Sequence, residues 1–234
     1  MVNSDNKYSK MQKDHYDHMA GSWTIENRDH VVGPFDHHNN WVDYDNFLFK
    51  DIDTSNKLAL EFGCGPGRNL VKFNNKFKQI DGVDISSINL DNAKIWCENN
   101  NVTVPRLYHN NGTDLSIIPS DTYDIVFSTI VMQHICVHEI RFSLLKDFYR
   151  VLNSSGSICI QMGYGDNHPR SVNYHENNYD ATGTNSACDV RVENSDQLKN
   201  DLEKIGFTNF NYDIRPVGPG DQHANWIFFR AQKP

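Results

Sequence analysis

The chain has 234 residues, 38% of them hydrophobic, and a formal charge of −8, which suits one substantial core and is short for two ordinary domains. Its composition excludes wholesale disorder, and the acidic balance without any Lys/Arg cluster argues against nucleic acid or an anionic membrane as partner. Five scattered cysteines with no CxxC pair point to buried thiols, with neither a disulfide framework nor a metal site.

The opening "MVNSDNKYSK" lacks the apolar core of a signal peptide, and nowhere do 18 apolar residues run together, so a cytoplasmic protein without a membrane partner is expected. Residues 7–20 carry an amphipathic pattern, followed by the His- and aromatic-rich "WTIENRDHVVGPFDHHNNWVDY". Residues 1–57 therefore read as an N-terminal helical cap. Asp36, His37 and His38 are consecutive and cannot all face one ion on a regular element, so no metal is assigned there.

From residue 58 the chain alternates short β-type runs with helical patterns. "KLALEF" precedes a helix over 67–76, "QIDGVDI" one over 87–99, and "VPRLYH" leads into the loop "NNGTDLSIIPSD". "TYDIVFSTI" is a continuous apolar run of the kind buried on both sheet faces, and Val137, Ile140, Leu144, Leu145, Phe148, Val151 and Leu152 then form one helical stripe. "SICIQM" is a further strand, 194–205 a helix capped by Asn194 or Ser195, and "TNFNYDI" and "ANWIFFRA" are closing strands. The alternation predicts an α/β fold, a doubly wound, mostly parallel seven-stranded sheet occupying 58–234, with its ligand at the carboxyl ends of the strands. The connection 163–193 is too long for this rhythm and reads as an insertion on the ligand side.

The turn "EFGCGPGRN" explains what the ligand is. Gly63, Gly65 and Gly67 run G-x-G-x-G, with Arg68 next, which departs from the G-x-G-x-x-G of dinucleotide-binding turns. Glu61 just before the turn repels a diphosphate and attracts an amine or sulfonium. Asp84, at the end of the next strand, is placed to take ribose hydroxyls. A ribose joined to a cation is the expected ligand.

Together "LEFGCGPGRN", "GVDIS", "NNGTDLSIIPSDTYDIVFSTIVMQHI" and "FYRVLNSSGSICIQ" resemble, in order and spacing, the motifs of the class I S-adenosylmethionine-dependent methyltransferases. The resemblance implies S-adenosyl-L-methionine as cofactor and S-adenosyl-L-homocysteine as product. It places Glu61, Gly63 and Gly65 at the methionine moiety, Asp84 at the ribose and Ile85 on an adenine face, with Cys64 and Asn69 also among the cofactor-binding residues. It also places Asn111 and Gly112 at the adenine edge, Ser128 to Ile130 beneath the sulfonium, and Tyr16 in an N-terminal helix folded over the methionine end. Asn111 stands where many relatives carry Asp, and "NSSG" replaces their Pro-Gly-Gly turn.

Methyl transfer is an in-line displacement that chiefly needs alignment of acceptor, methyl and sulfur. A hydroxyl acceptor also benefits from a base, and His134 in "VMQHI" is the best placed of eleven histidines. Tyr164, His168, Arg170, Tyr174 and His175 in the 163–193 connection, with Trp23, His37 and Trp41 in the N-terminal segment, offer donors and flat faces for a small polar or saccharide acceptor. The expected activity is O-methylation of a sugar or related metabolite. N-methylation of a small amine and non-catalytic binding of the cofactor are the alternatives.

Overall fold

The computed structural model describes residues 7–22, 44–165, 171–181, 189–217 and 223–234. In chain order the strands are β1 (Leu58–Phe62), β2 (Gln79–Asp84), β3 (Leu107–His109), β4 (Tyr123–Thr129), β5 (Leu152–Tyr164), β6 (Ser171–Asn173), β7 (Asp189–Arg191), β8 (Thr208–Pro216) and β9 (Asn225–Gln232). The α-helices are α1 (Lys7–Gly21), α2 (Tyr44–Leu48), α3 (Arg68–Lys72), α4 (Ser87–Asn99), α5 (His138–Val151) and α6 (Ser195–Ile205). Seven strands form one sheet of order β3-β2-β1-β4-β5-β9-β8. Pairing is parallel from β3 through β5 and antiparallel at β5/β9 and β9/β8. The fold is the expected doubly wound α/β sheet.

Successive strand residues point to opposite faces, and here both faces are apolar. Leu60, Val126, Ile158 and Phe229 join α5 and α6 in one buried cluster. Their immediate neighbours Ala59, Ile125, Cys159 and Phe228 join Leu48, Leu70 and Leu90 in a second cluster on the opposite face. A sheet buried on both sides leaves its strand ends as the place for a ligand, and the order reverses between β1 and β4, which opens the crevice there.

Local signals end the helices where the sequence suggests. The Ser86 side chain accepts from the Asn89 amide at 3.1 Å to start α4. Asn194 and Gln197 form a reciprocal capping box at α6, and Gly206 closes that helix in the left-handed region. The reading of 67–76 as a helix was too long, because α3 covers only Arg68–Lys72 and then turns. Residues 44–57 are not purely peripheral: Tyr44, Leu48 and Phe49 are buried, with the Tyr44 ring 4.9 Å from that of Phe228.

The 163–193 connection is more structured than its polar composition suggested. Its described residues include the parallel ribbon β6–β7, and Val172, Tyr174, Val190 and Val192 are buried in the α5/α6-side core. Among the described residues, no helix is long and apolar enough to cross a membrane.

Candidate active site

β1, β2 and β4 end together at a cavity of about 150 Å³. Its floor is the glycine turn. Gly63 has φ +70, and a Cβ there would fall 2.4 Å from Val131 Cγ2, so neither backbone nor space admits a side chain. Gly65 has φ +51 but nothing within 4 Å of where its Cβ would stand. Its missing side chain leaves open the face of the turn that a ligand approaches.

The amides of this turn are consumed internally. Gly63 N and Cys64 N donate to Val83 O at 2.8 and 3.1 Å, Gly67 N to Cys64 O at 3.1 Å, and Gly65 N to Asp84 Oδ2 at 2.8 Å, while Pro66 has no N–H. No row of donors faces a diphosphate. The flanking groups are acidic instead. Asp84 Oδ1 accepts from Ser86 N at 2.8 Å, and the carboxylate, raised by burial, lines the cavity with its remaining lone pairs.

Glu61 is 2% exposed. Its Oε1 accepts from Asn69 Nδ2 at 2.6 Å, and Asn69 Nδ2 also reaches Thr129 Oγ1 at 3.0 Å. Burial pushes the Glu61 carboxyl up to about 8, against the lowering influence of Asn69 and Arg68. Glu61 Oε2 and Asn69 Oδ1 are buried with no partner among the described residues. Two buried oxygens without partners, one of them on a carboxyl that gives up its proton when a positive charge is placed beside it, fit an ammonium or a sulfonium.

His134 ends a 3-10 turn (Met132–His134) just beyond β4. Its Nδ1 is 2.5 Å from Asp189 Oδ1, and Asp189 Oδ2 is 2.9 Å from His223 Nε2 and 3.3 Å from Gln133 Nε2. Burial alone would lower the imidazole, but the charge and hydrogen bond of Asp189 outweigh it and hold His134 above its usual 6.5. Burial would likewise raise Asp189, and His134 and then His223 hold it well below the usual carboxylate range. Asp189 fixes the proton on Nδ1 and leaves Nε2 as the basic nitrogen.

The backbone that carries His134 is pinned by α1. Tyr8 OH accepts from Cys136 N at 2.7 Å and donates to His134 O at 3.2 Å, and Gln12 Nε2 donates to the same carbonyl at 2.9 Å. Ile130, at φ +63, is a β-branched residue in the left-handed region, an outlier of the kind that packing must enforce at a site. Its amide donates to Gln161 Oε1 at 2.7 Å.

Of the residues singled out from the sequence, Tyr16, Glu61, Gly63, Cys64, Gly65, Asn69, Asp84, Ile85, Gly112, Ile130 and His134 line the cavity together. Five do not. Asn111 folds into its own loop, where Oδ1 accepts from Thr113 N at 2.8 Å and Asp114 N at 3.0 Å, and Asn110 lines the cavity in its place. Ser128 is fully buried and donates to Phe62 O at 2.9 Å. Tyr164 packs on the core at the end of β5. Tyr174 and His175 gather with His138, between α5 and α6. Trp23, His37, Trp41, His168 and Arg170 lie outside the described residues. Tyr8, Gln12 and Asp189 were missed by the sequence reading. The acid in the β-branched run "CDVRV" was the available signal for Asp189.

Residues 60–160 match the family model for a methyltransferase domain. No curated protein sequence matches the chain. Among solved structures, a Methanosarcina mazei S-adenosylmethionine-dependent methyltransferase is similar at 17% identity and TM-score 0.57, covering 76% of this chain and 92% of that one. Phosphoethanolamine N-methyltransferase 2 of Haemonchus contortus, solved with S-adenosyl-L-methionine, is similar at 18% identity and TM-score 0.66, covering 100% of this chain and 60% of that one. The 4+2 cyclase SpnF is similar at 14% identity and TM-score 0.56, covering 77% and 76%. Likeness at these identities speaks to the fold.

Proposed function

We infer that this chain, whose residues 60–160 match the family model for a methyltransferase domain, uses S-adenosyl-L-methionine to methylate a hydroxyl of a small polar acceptor such as a sugar. When bound, S-adenosyl-L-methionine supplies an electrophilic methyl group and leaves as S-adenosyl-L-homocysteine. Asp84 takes the ribose hydroxyls, Ile85 and Gly112 flank the adenine, and Asn110 stands at the adenine edge that the sequence assigned to Asn111. Glu61 Oε2, once its proton is released, and Asn69 Oδ1 receive the cationic end.

The observation that carries the choice of a hydroxyl acceptor is the His134–Asp189 pair at the cavity wall. A hydroxyl oxygen attacks as a better nucleophile when its proton leaves in the same event, and His134 Nε2 is the group to accept it. Asp189 compensates the imidazolium that results. Tyr16, kept protonated by burial and then by the nearby Asp189 charge, stays a hydrogen-bond donor in the cavity.

N-methylation of a small amine is the second reading, favoured by the likeness over the whole chain to the Haemonchus contortus enzyme. The same base serves an ammonium acceptor, which must lose a proton before it attacks. Transfer of labelled methyl from S-adenosyl-L-methionine into panels of sugars, polyols and small amines separates the two. The hydroxyl reading expects label in the sugar or polyol panel, at a turnover that His134→Ala lowers roughly 10²- to 10⁴-fold. Label confined to amines overturns it.

A further inference from the structure

At the start of α5, outside the residues that line the cavity, three side chains converge. His138 is the first residue of α5, His175 follows β6, and Asp201 lies in α6. His138 Nε2 is 2.6 Å from Asp201 Oδ2 and 3.4 Å from His175 Nδ1. One such atom from each residue lies within 4.8 Å of the other two. Two ring nitrogens and a carboxylate oxygen are thus turned on one point.

We propose that His138 Nε2, His175 Nδ1 and Asp201 Oδ2 bind a divalent transition metal of the zinc type, which ties the 171–181 segment to α5 and α6. Two imidazoles and one carboxylate are a borderline-soft set that suits zinc or cobalt(II) and is poorly matched to calcium or magnesium, which want oxygen alone. The exposed edge at His175 leaves a fourth position for water.

The ligands are held before the ion arrives. His138 N donates to Glu176 O at 3.0 Å, Glu139 N to Asn177 Oδ1 at 3.0 Å, and Asn178 N to Cys136 O at 3.0 Å, which stitch the segment carrying His175 to the start of α5. Tyr174 OH donates to Asp201 Oδ2 at 3.1 Å, the kind of outer hydrogen bond that orients a ligating carboxylate. Two cations oppose the ion. Lys204 Nζ is 3.6 Å from Asp201 Oδ1, the oxygen that the site does not use, and the Arg141 guanidinium stacks 5.1 Å from the Tyr174 ring. The site is independent of the methyl-transfer reading, since none of its three ligands lines the cavity.

The test is titration of the chelator-stripped full chain with cobalt(II), followed by displacement with zinc. One saturable cobalt per chain is expected, with visible absorption that zinc removes and a rise in Tm on adding either ion. His175→Ala, at an exposed position, should abolish the absorption and the Tm rise while leaving the circular dichroism unchanged. Tyr174→Phe should weaken binding about 10- to 100-fold without removing it. Absence of a saturable cobalt band in the wild type overturns the proposal. So does a band that survives in both His175→Ala and His138→Gln, because the ion is then held elsewhere.

Discussion

Glu61 links cofactor binding to proton release. With its carboxyl at about 8, the side chain holds about 0.9 of a proton at pH 7 by the ordinary titration relation. A cation placed against Oε2 favours the carboxylate, so binding at pH 7 releases most of that proton. The ionisation costs about 1.4 kcal/mol at pH 7, about a factor of ten in affinity, and the cost fades toward pH 9. Glu61→Gln keeps the shape and the acceptor for Asn69 Nδ2 but has no proton to give. Calorimetry of S-adenosyl-L-methionine binding in two buffers of different ionisation enthalpy counts the protons. The cofactor's own amine contributes equally in both proteins and cancels in the difference. Wild type should release about 0.9 more proton than Glu61→Gln. The ligand-free protein gives a second reading of the same group. A carboxyl whose folded pKa lies above 4.5 contributes stability in full below that value and loses it as pH rises through about 8. Glu61→Gln should therefore stabilise the apo protein more at about pH 8 than at about pH 5. Equal proton release from the two proteins would refute the placement of the cation at Glu61.

Removing the base and removing its orienting acid should be separable. His134→Ala leaves cofactor affinity within about two-fold in calorimetry while turnover falls, and Asp189→Asn moves the acid limb of the kcat–pH profile downward, because Asp189 is what holds His134 above 6.5. An unmoved limb in Asp189→Asn excludes this role. Asp84→Asn should weaken cofactor binding roughly tenfold through loss of charge-assisted bonds. Asp84→Ala should do more, since it also strands the Gly65 and Ser86 amides; calorimetry of the folded variants checks both. Gly63→Ala should lower Tm by the equivalent of about 2 kcal/mol or more, from left-handed backbone and the crowding at Val131.

The fold was legible because most strands are continuous apolar runs and each helix carries its stripe. "YDIVFST" alternates Ile125 and Phe127 toward one cluster with Val126 toward the other, a pattern that only a sheet covered on both sides explains. The short elements were not legible. α2 has five residues and β6 and β7 three each, too few for any period to register. β6 and β7 pair across 15 intervening residues, and nothing in either triplet announces its partner. For the same reason the acid in "CDVRV" could be seen in the sequence but its role could not, since that role depends on the ribbon that carries Asp189 to His134. Asn111 was the residue singled out, and a local turn in which it bonds to its own loop leaves its neighbour Asn110 on the cavity wall instead. The glycine turn and Asp84 were legible because their constraint is local, with positive φ at each glycine and a strand end on either side.

The position of Asp189 within the insertion has a consequence for how this protein can change. The segment between β5 and α6 contains both the acid that holds His134 above its usual 6.5 and three valines of the core. The setting of His134 and the integrity of the core are thus written in one stretch of chain. A wholesale exchange of that stretch with a relative's would alter both at once, and a library that holds Val172, Asp189, Val190 and Val192 constant would spare both. Diversification of this protein, in nature or in the laboratory, has to proceed around those fixed points.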